Sequence, residues 1–101
     1  MTALEFAPEI TEDFDRIFEH FAQHNPDAAA ARITEIIECL GLLTRHPLIG
    51  HPLSGDLREL VLGTKNRGYL ALYKYAAELE IVFILAIRSQ REAGYVRQDS
   101  M

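Results

Sequence analysis

The sequence predicts an α+β fold in which an N-terminal strand and a helical hairpin pack on an antiparallel β-sheet, and three observations carry that prediction. From Tyr69 to Arg88 there are two apolar runs rich in aromatic and branched residues, separated by Ala76-Ala77-Glu78-Leu79-Glu80, the pattern of two antiparallel strands with a short connection. Before them, two segments repeat apolar residues at the helical spacing and are joined only by His24-Asn25-Pro26-Asp27, so they pack as an antiparallel hairpin. Between hairpin and strand pair, Leu57-Arg-Glu-Leu-Val-Leu62 reads as a further strand. The last three strands are joined by short turns and form a meander, one face of which the hairpin must cover.

The elements follow in order. Leu4-Glu-Phe6-Ala alternates and is ended by Pro8, giving a short first strand. Glu9, Glu12, Asp13 and Asp15 then open a helix, where carboxylates oppose the positive end of the helix dipole. Ile10, Phe14, Ile17, Phe18 and Phe21 form its apolar stripe. Asn25 suits the N-cap and Pro26 the first position of a second helix, since the cap side chain accepts an orphan N–H and proline has none to lose. Ile33, Ile36, Ile37, Leu40 and Leu43 carry that helix to about His46, and the alanines at its start allow close helix approach. His46-Pro-Leu-Ile-Gly-His-Pro-Leu-Ser-Gly55 is a loop by its prolines and glycines. Gly63 to Gly68 forms the turn into the strand pair. The run from Ile81 to Ile87 has no polar position, which places it centrally in the sheet.

Composition bounds the function. At 101 residues the chain is predicted to be one domain spanning 1–101, and with 49% hydrophobic and 25% charged residues it has globular composition. No apolar run approaches the roughly 20 residues of a membrane span, and the acidic start lacks the basic opening of a signal peptide. A cytoplasmic protein is expected. Its single cysteine, Cys39, cannot form an internal disulfide and is expected to be partly buried beside the second helix's apolar stripe. Net charge is -5, but seven of the ten basic residues follow position 55. A dedicated nucleic-acid binder has a strongly basic domain, so no direct sequence-specific nucleic-acid binding is expected. His20 and His24 share a helical face, yet no further ligand pattern accompanies them, and neither a metal nor a cofactor is expected.

Phe6-Ala-Pro8 before an acidic helix, Pro47-Leu-Ile-Gly50-His-Pro52 before Leu57-Arg-Glu-Leu60, Gly68-Tyr69 followed by Tyr73, and a final apolar strand closing in Arg88-Ser-Gln-Arg91 together resemble the RelE/ParE superfamily of toxins from type II toxin–antitoxin modules, also described as plasmid stabilisation proteins. The resemblance covers nearly the whole chain and implies the same α+β fold. RelE-like ribonucleases usually carry a basic residue after the Gly-Tyr pair, where this chain has Leu70. The chain is therefore closer to the ParE-like members. That resemblance implies a toxin that poisons a cellular target such as DNA gyrase and is neutralised by a cognate antitoxin of the ParD-like, ribbon-helix-helix kind. The alternative is a RelE-like ribosome-dependent messenger-RNA endonuclease. Cleavage by attack of the 2′-hydroxyl needs a base, an acid and cationic stabilisation of the phosphate. Arg91 and Tyr95 are the nearest catalytic candidates, and no histidine or carboxylate is obviously placed as base.

The target-binding surface is expected where the last strand leaves the core. Its candidates are Lys65, Arg67, Lys74, Arg88, Arg91 and Tyr95, because arginine and tyrosine are frequent interface anchors.

Overall fold

The computed structural model describes residues 2–23, 25–63 and 68–90. Five strands, β1 (Ala3–Phe6), β2 (His51–Pro52), β3 (Leu57–Leu62), β4 (Tyr69–Ala76) and β5 (Ile81–Ser89), form one sheet in the order β1-β5-β4-β3-β2. Helices α1 (Ile10–Ala22) and α2 (Pro26–Leu40) pack as a hairpin on one face. The predicted meander is present as β3-β4-β5, all antiparallel. The N-terminal strand adds a parallel pair, Ala3 opposite Ile81 through Phe6 opposite Ile84, so the sheet is mixed. With β1 on one side and β4 on the other, β5 is interior, as its apolar run from Ile81 to Ile87 requires.

Local chemistry accounts for the helix boundaries. Asn25 is extended and its Oδ1 accepts the Ala28 N–H at 3.2 Å, with Pro26 next in the chain. Ala29 is fully buried in the close approach of the helices. The second helix stops at Leu40, six residues short of the expected end, and the chain tightens into a 3-10 turn over Gly41–Thr44. Gly41 weakens the helix at that point, and the Thr44 hydroxyl donates to the Gly41 carbonyl at 2.8 Å, a local bond that competes with helical pairing. The loop that follows includes the two-residue strand β2, too short to be visible in sequence.

Alternation divides the sheet into two faces. Tyr69, Ala71 and Tyr73 of β4, with Val82, Ile84 and Ile87 of β5, meet Ile10, Ile17, Ile36 and Leu40 of the helices in the main core. Pairing slips by one residue between Leu72 and Tyr73, and this bulge puts consecutive β5 residues, Leu85 and Ala86, together on the opposite face with Leu70 and Leu72. Among the described residues no helix is long and apolar enough to cross a membrane.

Asp13 departs from the sequence reading. Expected only as one of the carboxylates opposing the helix dipole, it is 1% exposed. Its Oδ2 accepts the Ile87 N–H at 3.0 Å and its Oδ1 accepts Arg16 Nη1 at 2.9 Å, while Arg16 Nη2 donates to the Ile87 carbonyl at 3.0 Å. The ladder from β1 ends with the Ala7 N–H on the Ile84 carbonyl. Three residues further along β5, an acid and a base from α1 take over the backbone groups of Ile87.

The β4–β5 turn holds Glu80 at φ 54°, a left-handed conformation that costs a side-chain-bearing residue roughly 1 kcal/mol relative to glycine. Glu80→Gly is therefore expected to raise stability by about 0.5 kcal/mol at most, net of the entropy glycine adds to the unfolded chain. Urea denaturation with an unchanged slope would confirm it, and a loss of stability would mean that the side chain's contacts outweigh the strain.

Candidate functional site

The face of the sheet turned away from the helices is the candidate site. Leu70, Leu72 and Ala86 form its centre, each less than one-tenth exposed, with Leu53, Leu57 and Leu85 packed around them. Lys74 stands opposite Phe83 on β5 and Leu57 on β3, and it is exposed. Arg88 stands opposite Leu70, half-buried, with Nη1 donating to the Ser89 carbonyl at 3.2 Å. Because Leu70 and Lys74 are four residues apart on one strand, the two cations are separated along the face by roughly 13 Å. The positions between them on β4 and β5 are apolar.

A groove of about 480 Å³ continues this face to the β1 edge, lined by Glu5, Phe6, Ala7, Pro8, Phe83 and Leu85. At the other edge His51 of β2 pairs with Glu59 of β3, which in turn stands opposite Leu72. An imidazole and a carboxylate therefore share the open face, a juxtaposition that sequence reasoning missed. Glu59 could have been placed there from its alternation with Leu57 and Val61. His51 could not, since a two-residue strand has no period to read.

The loop that delivers His51 is clamped from beneath. The Gly50 N–H donates to the Tyr73 hydroxyl at 2.8 Å, and Arg58 Nη1 donates to the carbonyls of Leu48 and Gly50 at 3.0 and 2.9 Å. Burial raises the Tyr73 pKa above its usual value, against smaller lowering effects of the Gly50 hydrogen bond and the Arg58 charge. The phenol is thus a neutral structural anchor for the strap.

Of the predicted site residues, the structure brings Lys74 and Arg88 to one face at its two ends. Lys65, Arg67, Arg91 and Tyr95 lie outside the described residues, as does His24, while His20 packs edge-on against Phe21 with ring centroids 5.4 Å apart. Leu70, expected in place of the ribonucleases' basic residue, is buried next to Arg88 in the apolar cluster of the face turned away from the helices. Cys39 corrects the sequence reading: it is exposed, because the apolar stripe of α2 buries Ile36 and Leu40 and turns the intervening positions outward.

A helical hairpin on one face of a five-stranded mixed sheet is a fold this chain shares with solved toxin–antitoxin structures. It is similar to the chromosomal ParDE toxin–antitoxin system from P. aeruginosa, at TM-score 0.74 and 22% identity over 88% of this chain and 96% of that one. It is also similar to the E. coli RelBE toxin–antitoxin complex, at TM-score 0.59 and 16% identity over 91% of this chain and 100% of that one. RelBE2 of Mycobacterium tuberculosis gives TM-score 0.57 and 24% identity, covering 88% and 98% of the two chains. No curated protein sequence matches the chain. Residues 4–94 match the family described as the ParE toxin of the type II toxin–antitoxin system parDE, and the chain belongs to that family.

Proposed function

We propose that this protein is a cytoplasmic ParE-type toxin that poisons a protein target such as DNA gyrase by binding it, and that a cognate ParD-like antitoxin holds it inactive. The observation that carries this reading is the composition of the face turned away from the helices, where the buried Leu70, Leu72 and Ala86 fill the space between Arg88 and Lys74. A ribonuclease needs an acid, a base and cationic stabilisation gathered around one phosphate. Val61, exposed on the same face opposite the buried Leu70, and the cations at the margins instead suit a protein contact. The groove along Phe83, Leu85 and Phe6 reaches β1, the edge strand among the described residues, which suits an extended antitoxin segment adding to the sheet. His51 beside Glu59 keeps one specific argument for RNA cleavage alive, because together they offer a base and its orienting carboxylate.

Induction of the chain, followed by measurement of supercoiling by purified gyrase and by mapping of cellular RNA 5′ ends, separates the two readings. Loss of supercoiling with unchanged RNA ends is expected, and RNA ends clustered within codons would make the protein an endonuclease. Lys74→Ala with Arg88→Ala is expected to abolish growth arrest while changing stability by at most about 1 kcal/mol, since exposed and half-exposed charges contribute little to folding. Full toxicity in the folded double variant would move the target contact elsewhere.

A further inference from the structure

On the helix side, between α2 and the β3–β4 end of the sheet, lies a cavity of about 330 Å³ lined by Arg32, Glu35, Glu38, Cys39, Leu62 and Tyr69 among others. It has no part in the surface described above. Tyr69 is only 4% exposed and lines it, yet the phenol makes no hydrogen bond with any described residue. The Arg32 guanidinium lies 5.3 Å from the centre of the Phe21 ring, and its Nε has no partner among the described residues. Its one bond is a long 3.4 Å contact from Nη1 to Glu35, a side chain 61% exposed. The Tyr69 hydroxyl and the Arg32 guanidinium thus share one cavity with two carboxylates and the exposed thiol of Cys39.

We propose that the cavity is a thiolation site, taking half of a small zwitterionic disulfide, of which cystine is the simplest, in a mixed disulfide with Cys39. The α-carboxylate of the bound half accepts from the Tyr69 hydroxyl and Arg32, and its ammonium lies with Glu35 and Glu38, so that a net-neutral group meets a cavity offering both signs. In the exchange, the Cys39 thiolate attacks one sulfur of the external disulfide. The new S–S bond forms as the old one breaks, and the departing thiolate takes the electron pair and then the proton that Cys39 gave up. Cys39 is oxidised and the departing half reduced, with no further reagent.

The test measures the loss of the Cys39 thiol and the gain of mass in the full chain. It uses cystine, cystamine (ammonium without carboxylate) and 2-hydroxyethyl disulfide (uncharged), each rate divided by that of an unstructured peptide bearing the residues around Cys39. The normalised cystine rate is expected to exceed the hydroxyethyl disulfide rate by roughly tenfold, the factor that corresponds to one charge-assisted hydrogen bond retained in the transition state. Tyr69→Phe, which keeps the ring and its packing, and Arg32→Gln are each expected to lower the cystine rate roughly three- to tenfold and leave the hydroxyethyl disulfide rate unchanged. Equal normalised rates for the three disulfides, or a cystine preference that survives both substitutions, would show that Cys39 is an ordinary surface thiol and overturn the proposal.

Discussion

Asp13→Ala is expected to cost the fold about 2–4 kcal/mol, the effect of leaving a buried backbone N–H and a partly buried cation without their shared carboxylate. Ile87 loses the acceptor of its N–H, and Arg16 loses the partner that steers Nη2 onto the Ile87 carbonyl. Full burial of both charges would put the cost higher, but the Arg16 side chain is 35% exposed and recovers water. For a chain of 101 residues the change corresponds to a fall in Tm of roughly 8–25 °C. Asp13→Asn keeps an acceptor for Ile87 and gives up only the charge, so it is expected to cost about half as much. A thermal melt of both variants is the check. If alanine and asparagine are equally mild, the carboxylate is not what ties α1 to β5.

Gly50→Ala is expected to be comparably damaging, by about 2–4 kcal/mol, for a steric reason. A Cβ at this position would lie 2.6 Å from Cε1 and from the hydroxyl oxygen of Tyr73, and 2.9 Å from Cζ. The Tyr73 ring has no exposed surface and sits in the main core, so it cannot swing away. The alanine must lift the loop, which breaks the bond from the Gly50 N–H and the two bonds from Arg58 as well as overpacking the site. Tyr73→Leu in the same chain removes the obstructing ring, and the two substitutions together are then expected to cost less than their sum. Strict additivity would mean that the strap and the ring do not touch in solution. Tyr73→Phe isolates the hydrogen bond, at about 1–3 kcal/mol for a buried donor left unpaired.

The same phenol makes stability sensitive to alkali. Its folded pKa is raised above the usual value of 10.0, chiefly by burial, so its stabilising contribution is complete below about pH 10 and is lost as pH rises through the folded value. Tyr73→Phe is expected to lose stability at neutral pH and to show a shallower decline above pH 10 than the parent chain.

Much of the fold was legible because it rests on short-range chemistry. Asn25-Pro26 starts α2 by satisfying and removing orphan donors within three residues of each other. The unbroken apolar run of β5 can belong only to an interior strand, and the turn at Ala77–Glu80 lies between two runs whose patterns name them as a pair. The motifs that carried the family resemblance were also visible, but not their purpose. Gly50 and Tyr73 are 23 residues apart and meet as one contact, in which the glycine is required by the ring against it.

The candidate site was legible only in part. Lys74 and Arg88 were chosen from charge and position, and they do share a face, but the ladder that sets their spacing includes a bulge with no signature in Leu85-Ala86. His51 beside Glu59 depends on a strand of two residues, and the exposure of Cys39 depends on which stripe of α2 the sheet selects.

What this sequence determined by itself is the identity and order of its long elements, the start of α2 and the resemblance of its motifs to RelE/ParE toxins. Each is read from residues a few positions apart, where propensity, capping and periodicity act. What the tertiary structure alone decided is the parallel seat of β1 on β5, the burial of Asp13 under Ile87, the clamp of Gly50 on Tyr73 and the assembly of a second buried apolar cluster between two cations. Those depend on which backbone groups the neighbouring strand leaves unpaired and which volumes the core leaves unfilled, and both are set by segments tens of residues away whose own local signals carry no record of the partner.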